Sequence, residues 1–225
     1  MARICSVNVG QPVEVDFAGT VGRTSIDKRP VDGPVEVLPL GLAGDSVSDT
    51  DYHGGRDQAV YAYAREDLDF WVEQLQQPIP PGQFGENLTT EGIGLNAAVV
   101  GTRLRIGTTL LEVCSVRTPC NTFKGWQGAS GFDDTRWVRR FMQARRPGPY
   151  LRVLEPGVLQ AGDEIHVVAV PDHGITVVDL FVAMNLDRSR LPSLQAIDDL
   201  AAEPARRLAA RLGSLPAGTS TYPVL

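Results

Sequence analysis

Apolar residues recur along this chain with two periods, and the period changes character near residue 170. Alternation at every second position predicts strands. Ile4, Ser6 and Asn8 against Cys5, Val7 and Val9 form the first. Val35–Leu38, Gln58–Tyr63, Arg103–Ile106, Leu110–Val116, Tyr150–Leu154 and Glu164–Ala169 follow. Gly107-Thr-Thr109 reads as a hairpin turn between two of them. Helical spacing appears at Leu68, Trp71, Val72 and Leu75, predicting a helix over 65–77 that Pro78 ends. Trp137, Val138, Phe141 and Met142 predict a second over 133–145, stopped by Pro147-Gly-Pro149.

Past Pro171-Asp-His-Gly174 the strand signal stops. Thr176 with Asp179 forms a capping-box pattern ahead of a helix through Met184. Ser193 caps a second candidate through Ala202, and Pro204 suits the first turn of a third that Gly213 stops. The last residues, rich in Pro, Gly and Thr, are expected to fray. The division is therefore a strand-rich domain over 1–170 and a small three-helix appendage over 171–225. The fold class is mainly β within α+β. Short strands with Gly/Pro turns suit a barrel or a sandwich alike.

Composition narrows the function classes. A formal net charge of −6 lacks the cationic excess of a nucleic-acid binder. The arginines at 136, 139, 140 and 145 then read as a solvated helix face. No apolar run reaches the roughly 18 residues of a membrane span, and the first ten residues lack the apolar core of a secretion signal. Three cysteines at unrelated spacings argue against a disulfide framework and for a reducing compartment, the cytoplasm.

Cys120 is the cysteine whose setting differs. Cys5 and Cys114 sit inside apolar strand patterns, as small core hydrophobes do. Cys120 follows Arg117-Thr-Pro119 at the end of the 110–116 strand. Pro119 cannot donate to a ladder, so pairing stops and the thiol is held on a loop by a rigid strand. Arg117 and Lys124 supply positive charge that favours the thiolate. The stretch from Asn121 to Gly131, glycine-bearing with Phe123 and Trp126, reads as a flexible wall over that loop.

Other polar loops carry two readings each. Asp45, Asp49, Asp51, His53 and Asp57 invite a metal, yet they lack the EF-hand ligand order and any second histidine. Gly54-Gly55 suits a tight turn or a close main-chain approach to a ligand. Phe84-Gly-Glu-Asn-Leu-Thr-Thr90 offers Glu86 and Asn87 beside a glycine, as contacts to a ligand or as the satisfied groups of a bulge. Lys28, in a basic segment with Arg29, suits a phosphate or open solvent. His166, mid-strand, reads as structural.

Together these pieces resemble a known family. Arg117-Thr-Pro-Cys120 is similar to the signature of the MOSC domain, the module named from the C-terminal part of molybdenum cofactor sulfurases. Gly41-Leu-Ala-Gly-Asp45, His53-Gly-Gly-Arg-Asp57 with Ala59-Val-Tyr61, and Phe84–Thr90 precede it in the order of stand-alone bacterial members. The tail resembles the three-helix appendage some of them carry.

The resemblance implies a MOSC-like β-barrel with a few packed helices that holds the molybdenum cofactor, a Mo-molybdopterin. Cys120 would be the Mo ligand and the catalytic residue. Arg117, Thr118, Asn87, Glu86, His53, Gly54, Gly55, Asp57 and Lys28 would bind the cofactor. The implied reaction is reduction of N-hydroxylated small molecules such as hydroxylamino-purines and amidoximes. Electrons would come from a separate reductase, because the chain has no flavin domain, no cysteine quartet and no pyridoxal-phosphate region. The tail, beyond every matched motif, would serve docking to a partner or to a second copy as a homodimer. Two other readings use the same residues: a cofactor or sulfur carrier without turnover, and a hydrolase with Cys120 as nucleophile, His53 as base and Asp57 as orienter.

Overall fold

The computed structural model describes residues 1–50 and 53–213. Asp51 of the acidic loop, and the tail expected to fray beyond Gly213, lie outside them. The strands in order are β1 (Arg3–Val9), β2 (Val13–Glu14), β3 (Arg23–Thr24), β4 (Arg29–Pro30), β5 (Val35–Leu38), β6 (Gly41–Leu42) and β7 (Val60–Ala64). β8 (Leu88–Glu91), β9 (Arg103–Ile106), β10 (Thr109–Val116), β11 (Pro149–Glu155), β12 (Gly157–Leu159) and β13 (Ile165–Ala169) complete them. The helices are α1 (Arg65–Leu75), α2 (Asn121–Ala129), α3 (Trp137–Ala144), α4 (Val177–Asn185) and α5 (Ala202–Gly213).

The fold is α+β, built on one eight-stranded sheet in the order β13-β9-β10-β11-β7-β8-β1-β4. Its pairs are antiparallel except β7 with β8, which run parallel because α1 carries the chain back between them. β7 is buried along its whole length, as a strand beneath a crossover helix requires. The sheet curls until its far ends approach. Arg3 bridges Glu164, and the Ile4 and Ile165 amides donate to the Asp163 and Ala2 carbonyls, each at 2.9 Å. That contact is a bridge and not a continuous ladder.

One apolar cluster runs from the sheet into the helices. Its aromatic centre is Trp71, Phe84, Phe123, Trp137 and Phe141, with Trp71 and Trp137 ring centroids 4.9 Å apart. Val177, Leu180 and Phe181 of α4 belong to the same cluster. The capping box expected at Thr176 is formed: its hydroxyl accepts from the Asp179 amide, and the Asp179 carboxylate accepts from the Thr176 amide. Thr176→Ala should cost about 1 kcal/mol. Urea unfolding would read this as a lower midpoint at unchanged m-value.

Two local expectations are corrected. Residues 121–129 are not a flexible wall but α2. Its Gly125 admits Phe17: an added Cβ would lie 2.5 Å from the Phe17 Cβ. Glycine here reflects close packing, not a loop. The helix expected from Ser193 is a 3-10 helix over Arg188–Ala196 that contains Pro192, whose missing N–H weakens an α-helical ladder. Gly157–Leu159, between two strands that the alternation predicts, adds a short strand β12 paired with β5. No helix among the described residues is long and apolar enough to cross a membrane.

Candidate functional site

β10 is the rigid arm of the site. After Val116 the chain leaves the ladder through Arg117-Thr-Pro119, and Cys120 becomes the N-cap of α2. Its Sγ accepts from the Phe123 amide at 3.4 Å, so the sulfur sits at the positive end of the helix. It opens into a partly enclosed cleft between the strands and the loops around His53. Lys28, His53, Gly54, Asn87, Arg117 and Cys120 all line that cleft.

Burial alone would raise the Cys120 pKa. A hydrogen bond with His53, the Arg117 charge and the Phe123 amide outweigh it and bring the thiol down to about 7. Lys124 does not take part, since its ammonium turns to Asp134 at 3.3 Å. Cys5 and Cys114 are pushed the other way, both to about 12 and chiefly by burial. Iodoacetamide should therefore label Cys120 selectively at neutral pH, with a rate that rises through a midpoint near 7. Mass mapping of the labelled peptides checks this. Because the folded value lies below the ordinary thiol value, this thiolate's stabilising contribution is full in alkali and fades as pH falls through about 7.

Arg117 is buried at 8 % exposure, its guanidinium 4.1 Å from the Phe123 ring centroid and 5.1 Å from that of Tyr61. Its Nε has no hydrogen-bond partner among the described residues. A buried cation held by rings and facing a cleft is a receptor for an anion. Lys28, by contrast, is already paired. Its ammonium lies 2.5 and 2.6 Å from the two Asp45 oxygens, and burial lowers its pKa although Asp45 opposes this. Asn87 donates to Asp45 at 2.8 Å and to the Asn8 carbonyl at 3.3 Å, and accepts from the Tyr61 amide at 3.1 Å. Lys28, Asp45 and Asn87 thus form one linked polar wall. Gly54 lines the opening and has a φ of 81° that only glycine takes freely.

Four of the residues singled out by sequence do not line the cleft. The Glu86 carboxylate is fully buried and accepts from the Gly82 and Phe84 amides and the Thr89 hydroxyl, holding the turn before β8. Burial pushes its pKa up against those bonds. Asp57 pairs with Arg152 at 2.9 Å and accepts from the Ala202 amide at 2.9 Å. Thr118 is exposed and donates to Asn185 at 3.2 Å. Gly55 is exposed just before the 3-10 turn Arg56–Gln58. His166 is also remote, exposed on β13 and 3.5 Å from Glu164.

Sequence reasoning missed other lining groups. Ser25 and Ser48, whose hydroxyls lie 2.7 Å apart, carry no motif. Tyr61 and Tyr150 read as ordinary strand aromatics, and only tertiary pairing at 5.1 Å between centroids brings them beneath Arg117. Asp45 did carry a signal, since it ends the Gly41–Asp45 motif.

Comparison with known proteins identifies relatives of the chain and of its fold. A family model described as the MOSC domain matches residues 49–166. The uncharacterized protein YflK of Bacillus subtilis is 32% identical over 174 residues, 77% of this chain and 76% of its own. Protein YiiM of Escherichia coli is 30% identical over 150 residues, 65% of this chain and 64% of its own. The crystal structure of YiiM from Geobacillus stearothermophilus superposes with a TM-score of 0.77 at 25% identity, over 94% of this chain and all of that one.

Proposed function

This chain belongs to the MOSC domain family, and from that premise we propose that its cleft binds the molybdenum cofactor and reduces N-hydroxylated small molecules. The reaction is R–NH–OH + 2 e⁻ + 2 H⁺ → R–NH₂ + H₂O, with electrons from a separate reductase. The observation that carries the reading is the buried Arg117 guanidinium, without an anion among the described residues, beside a thiol drawn down to about 7.

The donor set fits the group. Cys120 offers a soft thiolate, the ligand type that suits such a metal. Arg117 offers the fork that a phosphate takes. The Lys28–Asp45–Asn87 wall supplies fixed polar edges for a heterocycle. When bound, the cofactor would supply the two-electron redox chemistry that side chains lack. The chain's own part is to hold it, to orient the substrate and to exclude bulk water. His53, lining the same cleft as Cys120, is placed to hand on a proton. We place the protein in the cytoplasm, where its three free thiols stay reduced.

His53 beside a Cys120 thiol of lowered pKa also favours a second reading, a nucleophilic thiol activated by a base. Its third member is engaged elsewhere, because Asp57 faces Arg152 and Ala202. Protein purified from a host that makes the cofactor decides between them. Stoichiometric Mo and pterin, with turnover of a hydroxylamino-purine by an artificial electron donor, support the reductase. Mo without turnover indicates a carrier, and a Mo-free protein that hydrolyses esters at Cys120 indicates the nucleophile.

A further inference from the structure

The middle of the C-terminal segment reaches the two loops that carry Cys120 and His53. Asn185, at the end of α4, accepts from Thr118, two residues before Cys120. Further on, Asp199 and Ala202 grip consecutive residues of the His53 loop. Asp199 accepts from Arg56 at 2.7 Å, and the Ala202 amide donates to Asp57 at 2.9 Å.

Between these contacts lies Arg152 of β11, buried at 1 % exposure. Its guanidinium pairs with Asp57 at 2.9 Å, with Glu112 at 3.5 Å and with the Asp199 carboxylate, and donates to the Asp199 carbonyl at 3.1 Å. Glu112 also pairs with Arg103 at 2.9 Å. The Asp57 carbonyl accepts from the Cys114 thiol at 3.3 Å, which fastens the same turn to β10.

Why such a clasp is needed follows from the residues before it. Gly54 and Gly55 both hold positive φ, 81° and 76°, so two permissive joints separate His53 from Arg56. Left to itself, such a pair samples many conformations. Whatever fixes Arg56 and Asp57 shortens the free stretch and limits where His53 can go. A buried cation is a strong anchor because it must keep carboxylates around it, and Arg152 gathers three of them.

We propose that residues 197–202 are a positioning element of the site, in which the Asp199–Arg152–Asp57 clasp holds the Arg56–Gln58 turn and, through it, His53 against Cys120. The inference rests on the cofactor reading of the cleft for its functional consequence, but the clasp itself is independent of that reading. The appendage is then part of the site's scaffold as well as a surface element.

Asp199→Asn tests it in the full chain. Asparagine tolerates the left-handed backbone at this position, where φ is 48°, and Asp57 and Glu112 still compensate Arg152, so the fold survives. Arg56→Gln, an exposed change, loosens the clasp from its other side. Hydrogen exchange read by mass spectrometry at residues 53–58 should quicken by roughly tenfold or more in both variants. Mo retained after dialysis should fall in parallel. Thr176→Ala serves as control, since it lowers stability through the α4 cap without touching the clasp.

Unchanged exchange at 53–58 in both clasp variants would overturn the proposal, as would an equal rise in the control. Faster exchange with undiminished Mo would overturn the link to the site. A wild-type protein that never holds Mo removes the cofactor reading, while the exchange result still decides the clasp.

Discussion

Cys120→Ser is expected to strip molybdenum from the purified protein and abolish reduction of hydroxylamino-purines. The change keeps the side chain's shape and its place at the N-cap of α2, where serine caps as well as any residue. What it removes is a soft sulfur ionised near neutrality, replaced by a hard hydroxyl that stays protonated. Mo content should fall by at least the roughly 10–100-fold that loss of an orienting neighbour alone brings. Thermal stability should hardly move. Cys114→Ser makes the contrast. That thiol is 2 % exposed and donates to the Asp57 and Tyr150 carbonyls, and burial keeps it protonated to about 12. Its replacement should cost on the order of 1 kcal/mol and leave Mo in place. Full metal loading in the Cys120 variant, measured by elemental analysis, would remove the cysteine from the metal and with it the cofactor reading.

Asp45→Ala should produce the largest loss of stability, about 3–5 kcal/mol. Lys28 and Asp45 are each 9 % exposed, so deletion of the carboxylate leaves a buried ammonium uncompensated. It also frees the Asn87 amide and the Gly10 amide, both of which donate to Asp45 at 2.8 Å. Adding Lys28→Met in the same chain should restore most of the loss, because the unpaired charge is gone. The pH dependence gives a second check. Burial already lowers the Lys28 pKa, and without Asp45 nothing strong opposes it. Between the folded and unfolded values the unfolded chain then binds more protons, so the single variant should gain stability as pH rises through the folded value. Urea midpoints at neutral and alkaline pH measure both effects. A single variant as stable as the parent would mean that water reaches Lys28 freely.

The strand β10, the helix α1 with its Trp71 anchor, and the cap at Thr176 were legible because each is written in residues within a turn or a few rungs of one another. Cys120 was legible for the same reason. The lead-in Arg117-Thr-Pro119 carries its own geometry, with Pro119 stopping the ladder and the thiol following at once. α2 was not, since its glycines make sense only once Phe17 is seen to lie against Gly125.

Side-chain direction was beyond local pattern altogether. Glu86, Asp57 and Thr118 stand next to cleft residues in sequence, yet their oxygens are claimed by the Gly82 and Phe84 amides, by Arg152 and Ala202, and by Asn185. Asp57 and Ala202 are 145 residues apart, and no periodicity reports such a pairing. Sequence alone determined most of the long strands and helices and the family, because neighbours along the chain set backbone conformation and the character of a loop. Tertiary structure alone decided which charges meet, because a buried polar group turns to whatever distant partner repays its lost water.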